Sequence, residues 1–424
     1  MDINNLFKKS SQAFLIRFLG VILNYFYLFM ISQKYGTSGI GIFAFFQSIL
    51  LFFSIIPKFG LDTSIIKFIS INRDDTYQVK NILLKCLIIS LMISTLFLFF
   101  IYLFKDINLF VKNDVNIFLY LFLSLIPFII ISIVSEVFKA LERNLFFIIY
   151  SFVLVPLFGL IILEIYDYNI NPIISYVFSI SITSILIMFH SILLVFSKKN
   201  NSDNIKPIYS FKYILKFSYP MLISGSVLLI IGWIDSFMIG VLLDDVSNVG
   251  IYNIAVRIST FLSIILFSVN SIVTPKFAEF YSKNDMMNLK IIIQRSTKII
   301  FISTLPIAII FLSFSHSILN IFGSDFKYGS ISLIMLTVGQ MFNAFSGSVG
   351  YILQMTDREK VFKNIVLTAL FINIFLNFIL IPIYGINGAA FSSMITLIGW
   401  NLSCLFYIKN KLGIKTYFTL YNEN

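Results

Sequence analysis

Twelve apolar stretches of membrane-spanning length follow one another along this chain, and they leave few folds open to it. They run over residues 13–33, 40–56, 82–104, 115–135, 146–164, 172–196, 219–242, 250–273, 298–320, 331–354, 361–381 and 385–408. A bilayer core takes about 20 apolar residues per helix. A chain that is 58% hydrophobic and 12% charged, with a mean hydropathy of +0.93, cannot hide that surface in water. The expected fold class is all-α and integral to the membrane. The first stretch follows Lys8 and Lys9 without a small-residue cleavage site, and reads as a permanent helix rather than a signal peptide.

The net charge of +11 is explained by where the cations fall, so no nucleic-acid partner is expected. With the N-terminus placed in the cytoplasm, 25 of the 31 Lys and Arg lie in inside segments. Only Lys34, Lys105, Lys112 and Lys327 lie outside, and Arg17 and Arg257 lie within spans. The positive-inside bias therefore predicts both termini in the cytoplasm of a multi-pass inner-membrane protein. Cys86 and Cys404 have neither a CxxC spacing nor a His neighbour, so no disulfide, metal or cofactor is expected and both read as small lipid- or helix-facing residues.

The two longest polar segments, 57–81 and 197–213, are both inside on this topology. In the first, Leu61, Ile65 and Ile69 stand at helical spacing against Lys58, Lys67 and Arg73, which predicts a helix lying in the interface. The second contains KKNNSDNIKP and separates two similar halves. Gly41 in GIGIF matches Gly250 in NVGIY, Pro57 matches Pro275 in PKF, and Lys80/Lys85 match Lys290/Arg295. Glu142-Arg143 matches Asp357-Arg358, and Tyr168-x-Ile170-Asn171 matches Tyr384-x-Ile386-Asn387. The offsets stay within 209–218 and the order is preserved, so a duplication is expected. The expected domains are a six-helix bundle over 1–200, a cytoplasmic linker over 201–213 and a second six-helix bundle over 214–424. An even number of spans per half gives both copies the same orientation, the parallel-repeat arrangement of some secondary transporters.

Four segments carry a family resemblance: KYGTSGIGIFAFFQSI, PKFGLDTSIIKFIS, WIDSFMIGVLLDDVSNVGIYNIAVRI and PIYGINGAAFSSMI. In this order they resemble polysaccharide transporters of the Wzx type, which flip O-antigen repeat units. These belong to the superfamily of multidrug and toxin extruders and lipid II flippases. The resemblance runs over about residues 10–408. It implies two six-helix bundles around a central cavity, and a substrate made of an oligosaccharide on polyprenyl pyrophosphate. Membrane lipids are the other expected partners.

A charge inside a span costs roughly 2.5 to 3.5 kcal/mol on insertion scales, so each one asks for a partner or a role. Arg17 shares a helical face with Gly20 and Asn24, and reads either as an Arg snorkelling to the inner surface or as a cavity cation for pyrophosphate. Arg257 continues as Asn253, Thr260, Ser268 and Ser271, a polar stripe that a lipid-facing helix would not keep. Arg17, Asn24, Asn253 and Arg257 are the candidate substrate contacts. Asp235 stands at nearly the depth of Arg257 on the preceding helix. It reads either as the partner of Arg257 in a structural ion pair, or as a carboxylate that takes a coupling proton or sodium ion.

Gln47, Asn270, Gln340, Asn343, Asn373 and Asn377 read as interhelical hydrogen-bond partners. His190 and His316 read as interfacial, Tyr25 and Tyr27 as possible sugar-stacking rings, and Asp244-Asp245 as a solvated helix cap. Alternating access between the halves is the expected mechanism. A drug or cation extruder of the same fold would carry a carboxylate-rich cavity, against two Arg and one Asp here. A membrane-embedded glycosyltransferase or polymerase would need catalytic groups on large external loops. The outside loops here are short, so an enzyme is not expected.

Overall fold

The computed structural model describes residues 3–73, 75–103, 111–112, 115–165, 171–196 and 209–418. The protein is an integral membrane bundle of α-helices. Beside them, among the described residues, stands one short antiparallel ladder, β1 (Val111–Lys112) with β2 (Val115–Asn116). Intrachain contacts group it into two units, Met1–Leu229 and Ile230–Asn424.

The first unit opens with α1 (Ile3–Lys58), which is two helices meeting at Gly36, φ 64° and ψ −158°. A residue without Cβ adopts that backbone without strain, and the break falls between the first two predicted spans. Next come α2 (Leu61–Ile71) and α3 (Thr76–Tyr102), the latter capped by Asp75 accepting from the Gln78 N–H at 3.1 Å. Then follow α4 (Ile117–Ala140), α5 (Asn144–Ile148), a π-helical turn over Ile149–Val153, and α6 (Leu154–Ile165). After α7 (Pro172–Ser191), capped by Asn171 with Pro172 in its first turn, a second π-helical turn covers Ile192–Phe196. Helix α7 packs against α4 and α6, and α1 against α4 and α6. The predicted interfacial helix forms as α2, but its Leu61, Ile65 and Ile69 are each 0% exposed, because α2 packs on α3 and α4.

The start of α8 (Phe211–Leu242) also belongs to this unit. Phe68 of α2 meets the rings of Tyr209 at 4.8 Å and Phe217 at 5.0 Å, and the Ser64 and Ser218 hydroxyls share a hydrogen bond of 2.6 Å. Gly60, at φ +71°, lets α8 come close: a Cβ there would meet Leu222 N and Ser218 O, both at 2.5 Å.

In the second unit α9 (Ser247–Thr260) and α10 (Leu262–Ser282) are followed by α11 (Met286–Ser313), α12 (Ser315–Asn320) and a 3₁₀ turn over Ser324–Gly329. Then come α13 (Ser330–Ser346), α14 (Val349–Met355), α15 (Glu359–Tyr384) and α16 (Ile386–Leu412). Helix α16 packs on α13 and α15, and α11 on α10 and α13. Phe277, Leu289, Ile293, Ile352, Cys404 and Ile408 form part of the core, each 0% exposed. Cys86 is equally buried in the first unit, so both cysteines face helices.

Among the described residues eight helices are long and apolar enough to cross a membrane, and ten if each of two bent pairs is one span. The pairs are Phe211–Val227 with Leu229–Leu242, and Ser247–Thr260 with Leu262–Ser282. The predicted count of twelve differs for two local reasons. Leu15–Lys58 is one continuous element despite its break at Gly36, and the predicted span 331–354 is divided between α13 and α14 at Gly347, φ 76°.

One of the sequence matches between halves also has a backbone counterpart. Glu142 and Asp357 both stand at φ 59°. Each is followed by an Arg whose N–H reaches back to a carbonyl, Arg143 to Phe138 at 2.8 Å and Arg358 to Leu353 at 2.9 Å. That is the Schellman closure of a helix. Tyr168, Ile170 and linker residues 201–208 lie outside the described residues.

Candidate functional site

The second unit buries a carboxylate among neutral partners from three other helices. Asp235 of α8 is 8% exposed. Its Oδ2 accepts from the Tyr252 hydroxyl of α9 at 2.6 Å and from the Ser393 hydroxyl of α16, and its Oδ1 accepts from Asn377 Nδ2 of α15 at 2.6 Å. Asn377 Nδ2 also donates to Asn373 Oδ1 at 3.1 Å, since the two amides lie four residues apart on one face of α15. Asn377 Oδ1 has no hydrogen-bond partner among the described residues. Gly388 lets α16 approach α15 here, for a Cβ at that position would meet the Leu380 carbonyl oxygen at 2.3 Å.

This set of groups is rich in oxygen and holds a single carboxylate. Among the described residues no three His, Cys, Asp or Glu side chains gather to hold a metal ion. One carboxylate with amide and hydroxyl oxygens has instead the chemistry to take a proton or a hard monovalent cation. Sequence reasoning named Asp235, Asn373 and Asn377. It missed Tyr252 and Ser393, which reach the carboxylate from other helices, and no spacing along the chain signals that meeting.

Arg257 of α9 is half-buried, and its Nε donates to Asn253 Oδ1 at 2.8 Å, so these two predicted residues do come together. Its guanidinium stands 5.8 Å from the centre of the Trp233 ring. Trp233 and Asp235 are two residues apart on α8 and so point to different faces. Among the described residues Asp235 forms no ion pair, and its partners are an amide and two hydroxyls. The polar stripe drawn from Asn253 to Ser271 is interrupted, because α9 and α10 meet at an angle of 40°.

In the first unit Arg17 is exposed on α1, and its guanidinium lies 5.0 Å from the centre of the Phe152 ring. Phe152 sits in the π-helical turn, and Gly20 clears its path: a Cβ there would meet the Phe152 carbonyl oxygen at 2.8 Å. Asn24 is half-buried on the same helix. Tyr27 is not free to stack on a sugar. It is 2% exposed, and its hydroxyl shares a 2.7 Å hydrogen bond with Ser175. His190 is held by the Tyr150 hydroxyl at 3.0 Å, within the rings of Phe138 and Phe146. Several polar residues do bridge helices: Gln340 accepts from Ser263 at 2.8 Å, and Asn270 accepts from Ser348. Asp245 caps the entry to α9 by accepting from the Ser247 N–H at 2.9 Å.

The family model described as polysaccharide biosynthesis protein matches residues 6–281, and a second model, MatE, matches residues 220–379. The probable low-salt glycan biosynthesis flippase Agl15 of Haloferax volcanii is 24% identical over 418 residues, which are 97% of this chain and 85% of that one. The lipid II flippase MurJ in an inward closed conformation superposes with a TM-score of 0.66 at 18% identity, covering 94% of this chain and 87% of its own. An inward-facing multidrug resistance MATE family transporter of the MOP superfamily superposes with a TM-score of 0.68 at 14% identity, over 94% of each chain. At such identities the two solved structures speak for the fold alone.

Proposed function

The chain belongs to the polysaccharide biosynthesis protein family, and from that premise we propose a flippase that moves a polyprenyl-pyrophosphate-linked oligosaccharide repeat unit from the cytoplasmic to the outer face of the inner membrane. It works by alternating access, coupled to a proton or sodium gradient, and is neither an enzyme nor dependent on a cofactor. Both termini are cytoplasmic. Its two halves are the bundles over 1–200 and 214–424, joined by the linker 201–213.

The observation that carries the coupling is the environment of Asp235. A carboxylate buried without a cation costs several kcal/mol unless hydrogen bonds or a bound positive charge offset it. Tyr252, Asn377 and Ser393 supply donors to the anion, and the unpartnered Asn377 Oδ1 supplies an acceptor for whatever positive charge arrives. The site can therefore exist in two charge states, as a coupling group must. Arg17 and Arg257 supply the substrate side: a guanidinium offers a planar fork to pyrophosphate oxygens, and Phe152 and Trp233 restrict where each fork lies. Asn24 and Asn253 are the adjoining amides.

A cation extruder is the second reading, favoured by the MatE match over residues 220–379. Proteoliposomes separate the two. The flippase reading expects lipid-linked oligosaccharide to reach a membrane-impermeant glycosidase on the far side, and no extrusion of a cationic dye. It also expects Arg257→Ala or Arg17→Ala to slow translocation about 10- to 100-fold at unchanged protein level, with Lys retaining part of the rate. Dye extrusion without glycan translocation would replace this reading with the extruder.

A further inference from the structure

Lys58, at the end of α1, is an uncommon lysine. It is 9% exposed, and among the described residues its ammonium has neither a hydrogen-bond acceptor nor an ion pair. Its Nζ stands over the Phe128 ring, 4.6 Å from the ring centre. A ring face replaces only part of an ammonium's hydration. Three N–H donors thus remain for an acceptor from outside the chain.

The space in front of Lys58 is a cleft within the first unit, with a cavity volume of about 60 Å³ and open to its surroundings. The Phe59–Gly60 turn, at φ 48° and 71°, carries the chain from α1 into α2 around its edge. Asp62 and Thr63 line one side, Met221, Leu222 and Ser226 of α8 the other. Two carboxylates lie within electrostatic reach of Lys58, those of Asp62 and Glu136. Glu136 is paired with Lys139 at 3.0 Å, and Asp62 is the carboxylate that lines the cleft with Lys58.

A cleft holding one cation, one anion, two hydroxyls and an apolar wall, at the end of a membrane-spanning helix, matches a ligand that is itself zwitterionic and amphipathic. We propose that it holds the head group of an aminophospholipid, the phosphate on the Lys58 ammonium and the lipid ammonium on Asp62. Met221 and Leu222 then meet the glycerol backbone and the first methylenes. A purely anionic lipid would meet Asp62 with a like charge. A lipid without phosphate would leave Lys58 unsatisfied.

The test uses the full-length protein, delipidated in detergent and titrated with phosphatidylethanolamine or phosphatidylglycerol, read by native mass spectrometry and thermal unfolding. Phosphatidylethanolamine is expected to be retained about tenfold more strongly, the size of one charge-assisted contact, and to raise the unfolding midpoint. Lys58→Met and Asp62→Asn should each abolish that preference. Equal retention of the two lipids, or a preference unchanged in both variants, overturns the proposal. So does displacement of the lipid by a free disaccharide, which would give the cleft to a sugar. Should neither variant fold, soluble glycerophosphoethanolamine decides on the wild type: competition with the lipid supports the site, and its absence overturns it. Binding is read without transport, so failure here is separate from failure of the flippase reading.

Discussion

Asp235 in the second unit and Lys58 in the first are buried to nearly the same degree, 8% and 9% exposed, yet Asp235 accepts three hydrogen bonds while Lys58 faces a phenyl ring. Burial alone therefore does not say what a charged side chain in a membrane protein is for. A charge whose partners are built in can hold its place in either of two charge states, which suits a coupling group. A charge without a hydrogen-bonded partner keeps its donors free for a ligand from outside the chain. Each pocket also depends on a glycine where two helices come close, Gly388 for Asp235 and Gly60 for Lys58.

Replacing both kinds of charge with apolar residues should give opposite results. The largest effect is expected for Asp235→Leu, which leaves the Tyr252, Asn377 and Ser393 donors without their acceptor. A loss of about 3 to 5 kcal/mol is expected, read as a lower unfolding midpoint or reduced membrane insertion. Adding Arg257→Asp to Asp235→Arg should not restore it, because Arg257 meets Asn253 and Trp233 while Asp235 is held by Tyr252, Asn377 and Ser393. Recovery by that exchange would mean that the two charges serve one pair.

Gly60→Ala comes next, at about 1 to 3 kcal/mol, since its Cβ meets two backbone atoms of α8 and its φ is +71°. Lipid retention at the Lys58 cleft should fall with it, while the Asp235 cluster should be unaffected. Tyr252→Phe removes one donor from Asp235 and should cost about 1 to 2 kcal/mol. A neutral outcome would mean that Asn377 and Ser393 suffice. The smallest effect is expected for Lys58→Met in delipidated protein. Stability should stay within about 1 kcal/mol of wild type or rise, because a buried charge without a hydrogen-bonded partner has gone. A large loss would show that Lys58 has a protein partner after all.

Much of the fold was legible because apolar length and loop charge are properties of single segments. The break at Gly36 fell in the gap between two predicted spans. The α2 face of Leu61, Ile65 and Ile69 was readable as helical spacing, although the helices that cover it were not. Asp235, Arg257, Asn373 and Asn377 were conspicuous because polar residues in apolar stretches are costly. What they bind was not legible, since hydrogen bonds between helices far apart in sequence leave no periodic trace. Depth along two spans suggested an Asp235–Arg257 pair, but depth does not specify rotation about the helix axis. Trp233 and Asp235 show the consequence, as neighbours on one helix that serve different sites. Lys58 reads as a loop charge, because nothing in PKFG tells that the turn folds it inward.

In the proposed function Asp235 converts an ion gradient into movement of the substrate. Asp235→Asn keeps the shape of the side chain and removes its charge, so it separates coupling from architecture. In proteoliposomes carrying lipid-linked oligosaccharide, translocation by the wild type should rise with an imposed proton or sodium gradient. Asp235→Asn, inserted at wild-type level, should lose that dependence and most of the rate. Wild-type translocation by Asp235→Asn under every gradient would contradict the account.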